Sequence, residues 1–226
     1  MTGAYERELR EVLSGTEKGI HAVTRSCTPE DKSRMNLVKS RPFLVVRAAG
    51  SGMEGSGDLV ALRGDCCFPI EVKTTKAQKL YFSGRTMDQL QAMIREGERS
   101  KLMPLYAHRR KGIRGDSWRL FRVETEGLTD RLQKFAPLIP ALPLNRNGTP
   151  FIDWEQGMPL NKFIELLCSH DEQQQSAMGH LKQRAKQRKV PKNNQRPKSP
   201  KKNDDVLAEL QRRRTALVEQ SLRNME

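Results

Sequence analysis

Gly57-Asp58-Leu59-Val60-Ala61-Leu62-Arg63-Gly64-Asp65-Cys66-Cys67-Phe68-Pro69-Ile70-Glu71-Val72-Lys73-Thr74 is the stretch that decides the fold of this chain. Asp58–Arg63 and Phe68–Thr74 read as two strands around a turn at Gly64-Asp65. Side chains alternate along a strand, so Phe68, Ile70 and Val72 share an apolar face that suits a core. Glu71 and Lys73 share the other face, roughly 7 Å apart at the backbone. Asp58 opens the first strand directly after the glycine-rich segment Gly50–Gly57. A hairpin pairing of the two strands brings Asp58 toward Glu71. Two neighbouring carboxylates repel unless a cation joins them. Mg²⁺ suits such a pair because it prefers hard oxygen ligands and keeps several waters. Lys73 beside it supplies a point charge for a transition state. Taken singly these features are ordinary. A Glu two residues before a Lys on a strand is commonly a solvated pair, and Asp after Gly often opens a strand.

Working outward, Phe43–Ala48 reads as a strand and Tyr5–Leu13 as an amphipathic helix with Leu9, Val12 and Leu13 on one side. Residues 14–41 are polar with little period, although Thr28 before Pro29-Glu30 can cap a helix. On the far side, Thr86–Arg95 carries Met87, Leu90, Met93 and Ile94 at helical spacing, a stripe that suits either core or a dimer surface. Leu102–His108 and Trp118–Val123 read as strands, and Pro159–Cys168 as a closing helix. The alternation of helices and strands predicts an α/β domain with a mixed sheet.

The chain of 226 residues is long enough for one core plus a tail. Its net charge of +14 favours a polyanionic partner, either nucleic acid or an anionic membrane. No apolar stretch is long enough to span a bilayer. The start MTGAYERELR has no apolar signal region, which places the expected location in the cytoplasm with reduced cysteines. Cys27, Cys66, Cys67 and Cys168 form no CxxC pair and no zinc spacing with His21, His108, His170 or His180. The charge is uneven: residues 173–226 carry 14 Lys/Arg and 5 Asp/Glu, leaving only +5 for residues 1–172. His180–Lys202 has ten basic residues, no acidic one and three prolines. Residues 173–203 are therefore expected to be a basic disordered linker, and 204–226 a short helix capped by Asp204-Asp205.

Several stretches together resemble the archaeal Holliday-junction resolvases, within the PD-(D/E)XK nucleases. They are Tyr5-Glu6-Arg7-Glu8-Leu9, Val45-Val46-Arg47-Ala48-Ala49-Gly50-Ser51, Asp58-Leu59-Val60-Ala61, Ile70-Glu71-Val72-Lys73, and Leu80-Tyr81 with Met87 and Leu90 beyond. They cover roughly residues 4–125 in the family's order. The resemblance implies a restriction-endonuclease-like mixed sheet flanked by helices, over a nuclease domain of residues 1–172. It implies catalytic roles for Glu6, Asp58, Glu71 and Lys73, with Glu6, Asp58 and Glu71 as metal ligands. Arg7 and Arg47 would contact substrate phosphates, and Ser51 lies in the family's junction-side loop. Without the resemblance, Glu6 reads as an acid complementing a helix dipole.

This similarity departs from the family at the long 14–41 connection, the extended 50–57 loop, the basic tail, and Gly57 where the family's motif carries proline. The expected function is a Mg²⁺-dependent endonuclease (Mn²⁺ a possible substitute), homodimeric, that resolves four-way DNA junctions by paired phosphodiester hydrolysis. Alternatives are a repair or restriction-like nuclease acting on flaps, nicks or duplex, and a non-enzymatic nucleic-acid-binding protein on a nuclease scaffold.

Overall fold

The structure is a computed structural model that describes residues 3–48 and 57–169. All of them fall within one compact unit, Met1–Gly179. The expected linker at 173–203, the expected helix at 204–226 and Ser51 lie outside the described residues.

The chain opens with three helices. α1 (Gly3–Leu13) buries Glu6, Leu9, Val12 and Leu13. α2 (Glu17–Thr24) begins at Thr16, whose hydroxyl accepts the Gly19 N–H at 3.1 Å. α3 (Pro29–Asn36) begins at Thr28, which accepts the Asp31 N–H at 3.2 Å, as the Thr28-Pro29 pair predicts. α2 escaped the sequence reading because an eight-residue helix with Ile20 and Val23 inside carries too little period. It packs closely on α1: a Cβ on Gly19 would stand 2.6 Å from Cβ of Glu11.

Eight strands follow among the described residues. They are β1 (Leu44–Arg47), β2 (Leu59–Arg63), β3 (Cys66–Thr75), β4 (Lys79–Tyr81), β5 (Leu105–Arg110), β6 (Trp118–Arg122), β7 (Phe151–Asp153) and β8 (Met158–Pro159). Six form the main sheet in the order β1-β2-β3-β5-β6-β8, while β4 and β7 pair separately. β2 and β3 are antiparallel, with Leu59 opposite Ile70 and Ala61 opposite Phe68. β3 and β5 are parallel, so the chain must cross over between them, and α4 (Arg85–Ser100) lies within that crossover. The sheet is therefore mixed and flanked by helices, the restriction-endonuclease-like architecture expected.

One apolar cluster joins Leu59, Ala61, Phe68, Ile70, Val72, Leu105, Ala107, Trp118 and Leu120 of the sheet to α1, α2 and α3. The closing helix, α6 (160–169), adds Leu160, Phe163, Ile164 and Leu167 to it. The opposite face at β5 and β6 packs Tyr106 and Phe121 against Leu90 and Met93 of α4. The Met87–Ile94 stripe is thus taken up by the protein's own core, with Met87 and Ile94 partly buried against it. α4 also runs five residues beyond the expected end at Arg95, and it ends at Lys101 in the left-handed region. Residues 102–104 precede β5 rather than joining it. α5 (Asp130–Phe135) and the short strands β4, β7 and β8 lack a periodic signal in the sequence.

Candidate active site

The site begins with a backbone device. Gly57 has φ +70°, and a Cβ there would lie 2.6 Å from the carbonyl oxygen of Ile70. Only glycine combines that dihedral with so close an approach. The chain then turns into β2, and the Asp58 N–H donates to the Ile70 carbonyl at 2.8 Å. The Asp58 carboxylate Oδ2 accepts the Val72 N–H at 2.8 Å. Asp58 is thereby tied to β3 on both sides of Glu71. Gly57 thus has a steric reason to stand before Asp58.

Glu71 is only 6% exposed. Its Oε1 accepts from Nζ of Lys73 at 2.8 Å. A second acceptor holds the same ammonium: Oε1 of Gln89, on α4, at 2.8 Å. Gln89 went unnoticed in the sequence because it sits on the polar side of an amphipathic helix. No local pattern shows that α4 crosses back over β3. Burial pushes the proton affinity of both Asp58 and Glu71 above the ordinary carboxylate range. The Glu6 charge raises both and Asp58 raises Glu71 further, while Lys73 lowers both and the Val72 N–H lowers Asp58.

Glu6 is also 6% exposed. Its Oε2 accepts from two nitrogens of Arg47, Nε at 3.0 Å and Nη2 at 2.9 Å. The structure therefore joins two residues for which the sequence suggested separate roles, one with metal and one with phosphate. Glu6 still contributes negative charge felt by Asp58 and Glu71. Arg7 is exposed on α1, and its Nε donates to the Gly3 carbonyl at 3.1 Å.

Two buried polar groups lie on the strand beside this centre. Tyr106 of β5 is opposite Glu71, and His108 is opposite Lys73. Tyr106 is fully buried, and its hydroxyl has no hydrogen-bond partner among the described residues. Burial, together with the Glu71 and Asp58 charges, holds that phenol neutral. His108 Nε2 lies 3.1 Å from the Thr75 hydroxyl, and burial lowers its proton affinity to about 4.

The donor chemistry fits a hard divalent cation. Asp58 and Glu71 are oxygen donors whose repulsion such an ion relieves, and the Tyr106 hydroxyl marks a buried polar position without a protein partner. Among the described residues no three His, Cys, Asp or Glu side chains converge as a ready ligand group. Two carboxylates completed by water and phosphate oxygens is the arrangement Mg²⁺ commonly adopts. The four cysteines are free. No described helix is long and apolar enough to cross a membrane.

The chain has no match among curated proteins. Among solved structures it is similar to Hjc, a Holliday junction resolvase of Archaeoglobus fulgidus. The identity is 22% over 60% of this chain and 91% of that one, with a TM-score of 0.39. Residues 30–134, which hold β1–β6, α4, Asp58, Glu71, Lys73 and Gln89, match the family described as archaeal Holliday junction resolvase (hjc).

Proposed function

We propose that the protein is a metal-dependent endonuclease that resolves four-way DNA junctions in the cytoplasm. The observation that carries this reading is the Asp58–Glu71–Lys73 group, held by backbone contacts between β2 and β3 inside the matched segment. Asp58 and Glu71 would hold Mg²⁺, or Mn²⁺ in its place. When bound, that ion supplies Lewis-acid polarisation of a phosphodiester. Lys73, fixed by Glu71 and Gln89, meets the negative charge that grows on the phosphate oxygens. Glu6 joins as a third ligand only if Arg47 releases it, which frees the guanidinium for a DNA phosphate. Arg7 and Ser51 complete the proposed DNA contacts.

Cutting two opposed strands calls for two centres, so the active form is a homodimer. The exposed Leu44 and Val46 on the edge strand β1 offer apolar surface for a second copy. The test is cleavage of a synthetic four-way junction beside flap, nicked, duplex and single-stranded controls, with Mg²⁺ and with chelator. Paired cuts on the junction alone, lost with chelator and in Glu71→Gln, are expected. Equal cutting of flaps or duplex would overturn the junction assignment, and cutting in chelator would overturn the metal.

A further inference from the structure

A second charged site lies apart from the catalytic residues. α2 and α3, with Lys39 just beyond, line an open cleft of about 560 Å³. Its walls carry Lys18, His21 and Arg25 from one side, and Lys32 and Lys39 from the other, against a single acid, Glu17. Glu17 pairs with Lys39 at 3.3 Å, the Glu17 side chain largely exposed and that of Lys39 40% exposed. Among the described residues Lys18, Arg25 and Lys32 have no ion-pair partner within reach. The same hairpin treats its other arginine differently. Arg34 contacts three carboxylates, Glu30, Asp31 and Glu165.

Three unpaired cations facing one cleft repel one another, and an isolated fold gains nothing from that placement. The charge is matched instead by a ligand that brings several closely spaced negative groups. A sugar-phosphate backbone does so, at one charge per roughly 1.7 Å of duplex axis. The cleft is open rather than enclosed, which suits a backbone running through it. None of Glu6, Asp58, Glu71 or Lys73 lines it. α2 also precedes the matched segment, so the family domain alone does not account for it.

We propose that the α2–α3 cleft is a second DNA-binding site, which grips the phosphate backbone of a duplex arm while the catalytic centre engages the scissile strand. This rests on the nuclease reading above. Lys18, Arg25 and Lys32 then add affinity without sequence information, because phosphate contacts position rather than specify.

The test uses the full chain carrying Lys18→Gln, Arg25→Gln and Lys32→Gln, with a control that loses the same charge at exposed Lys101, Lys134 and Arg146. Affinity for junction and duplex is measured by anisotropy across a salt series. Each lost phosphate contact lowers the log–log salt slope by about 0.9, so the cleft variant should fall by roughly 2–3 and the control by much less. Single-turnover cleavage at saturating protein should stay within about twofold of the parent, since phosphate contacts position without doing chemistry. Circular dichroism melting checks that each variant is folded, and the single Lys18→Gln change, at an exposed residue, serves if the triple is not. An unchanged slope, or a fall equal to the control's, overturns the cleft as a discrete contact. Protein that binds and cuts normally with an unchanged slope leaves the nuclease reading standing. A parent that binds no DNA overturns both.

Discussion

At the scale of the residue, the proposed role of Asp58 and the stability of the fold pull against each other. Its folded-state proton affinity is raised, chiefly by burial. A raised carboxylate favours folding while protonated, and that contribution is lost as pH rises through its folded value. At neutral pH the charged Asp58 therefore costs the metal-free protein stability. Asn keeps a carbonyl to accept the Val72 N–H and removes the charge. Asp58→Asn should abolish cleavage, keep junction binding, and raise the melting temperature in chelator at pH 7. The gain should vanish as pH falls through the carboxylate range; an unchanged or lower melting temperature at pH 7 would show that burial does not dominate. On the proposed reading Gln89 is a positioning residue, because it holds the Lys73 ammonium. Gln89→Ala leaves Lys73 held by Glu71 alone, and kcat should fall about tenfold, the scale typical of partners that orient a functional group. KM for the junction should barely move, and Gln89→Glu should restore most of the rate by returning an acceptor. A rate unchanged in Gln89→Ala would reduce the contact to packing.

At the scale of the element, β5 is unusual in burying a histidine mid-sheet. With its proton affinity lowered to about 4, His108 stays neutral in the fold while the unfolded chain protonates near 6.5. Its contribution is complete above the unfolded value and is lost as pH falls from 6.5 toward 4. At about 1.4 kcal/mol per tenfold in proton affinity, the loss is on the order of 3 kcal/mol. Urea midpoints at pH 7.5 and 4.5 should differ accordingly in the parent, and the difference should shrink in His108→Leu. An equal drop in both would assign the acid sensitivity elsewhere. α6 depends on a side chain from the loop before β6. Oδ2 of Asp116 accepts both the N–H and the side-chain amide of Asn161, at 2.9 and 2.8 Å. This caps the helix from outside. Asp116→Ala should cost about 1–3 kcal/mol in urea unfolding, the range for losing a cap or a buried partner, with the catalytic rate unchanged.

At the scale of the whole molecule, charge outweighs every other feature. Residues 173–226 carry a net +9 of the total +14, so most of the electrostatic attraction for DNA is written outside the described domain. A chain ending at residue 172 keeps Glu6, Asp58, Glu71, Lys73 and the α2–α3 cleft. It should still cut junctions, yet bind junction and duplex more weakly by similar factors and with a shallower salt dependence. Anisotropy at two salt concentrations measures both. Should the salt slope survive truncation while the sedimenting mass changes, the tail would be an assembly element instead.

The sequence by itself determined the elements whose physics is local. Alternation in Phe68–Val72 marked a buried strand face, Gly64-Asp65 marked the turn, and Thr28-Pro29 marked a capped helix start. It also singled out Asp58, Glu71 and Lys73, because strand period and a short hairpin suffice to bring them near one another. The rest depended on contacts between distant parts of the chain. Arg47 meets Glu6 across 41 residues, Lys73 finds Gln89 through the β3–α4 crossover, and Tyr106 comes opposite Glu71 by parallel pairing. Met87–Ile94 became core for the same reason: a helical stripe states that a face is apolar, but only packing decides what covers it. The α2–α3 cleft belongs to this second class, since no local rule says that Lys18 and Lys32 will face one another across two short helices.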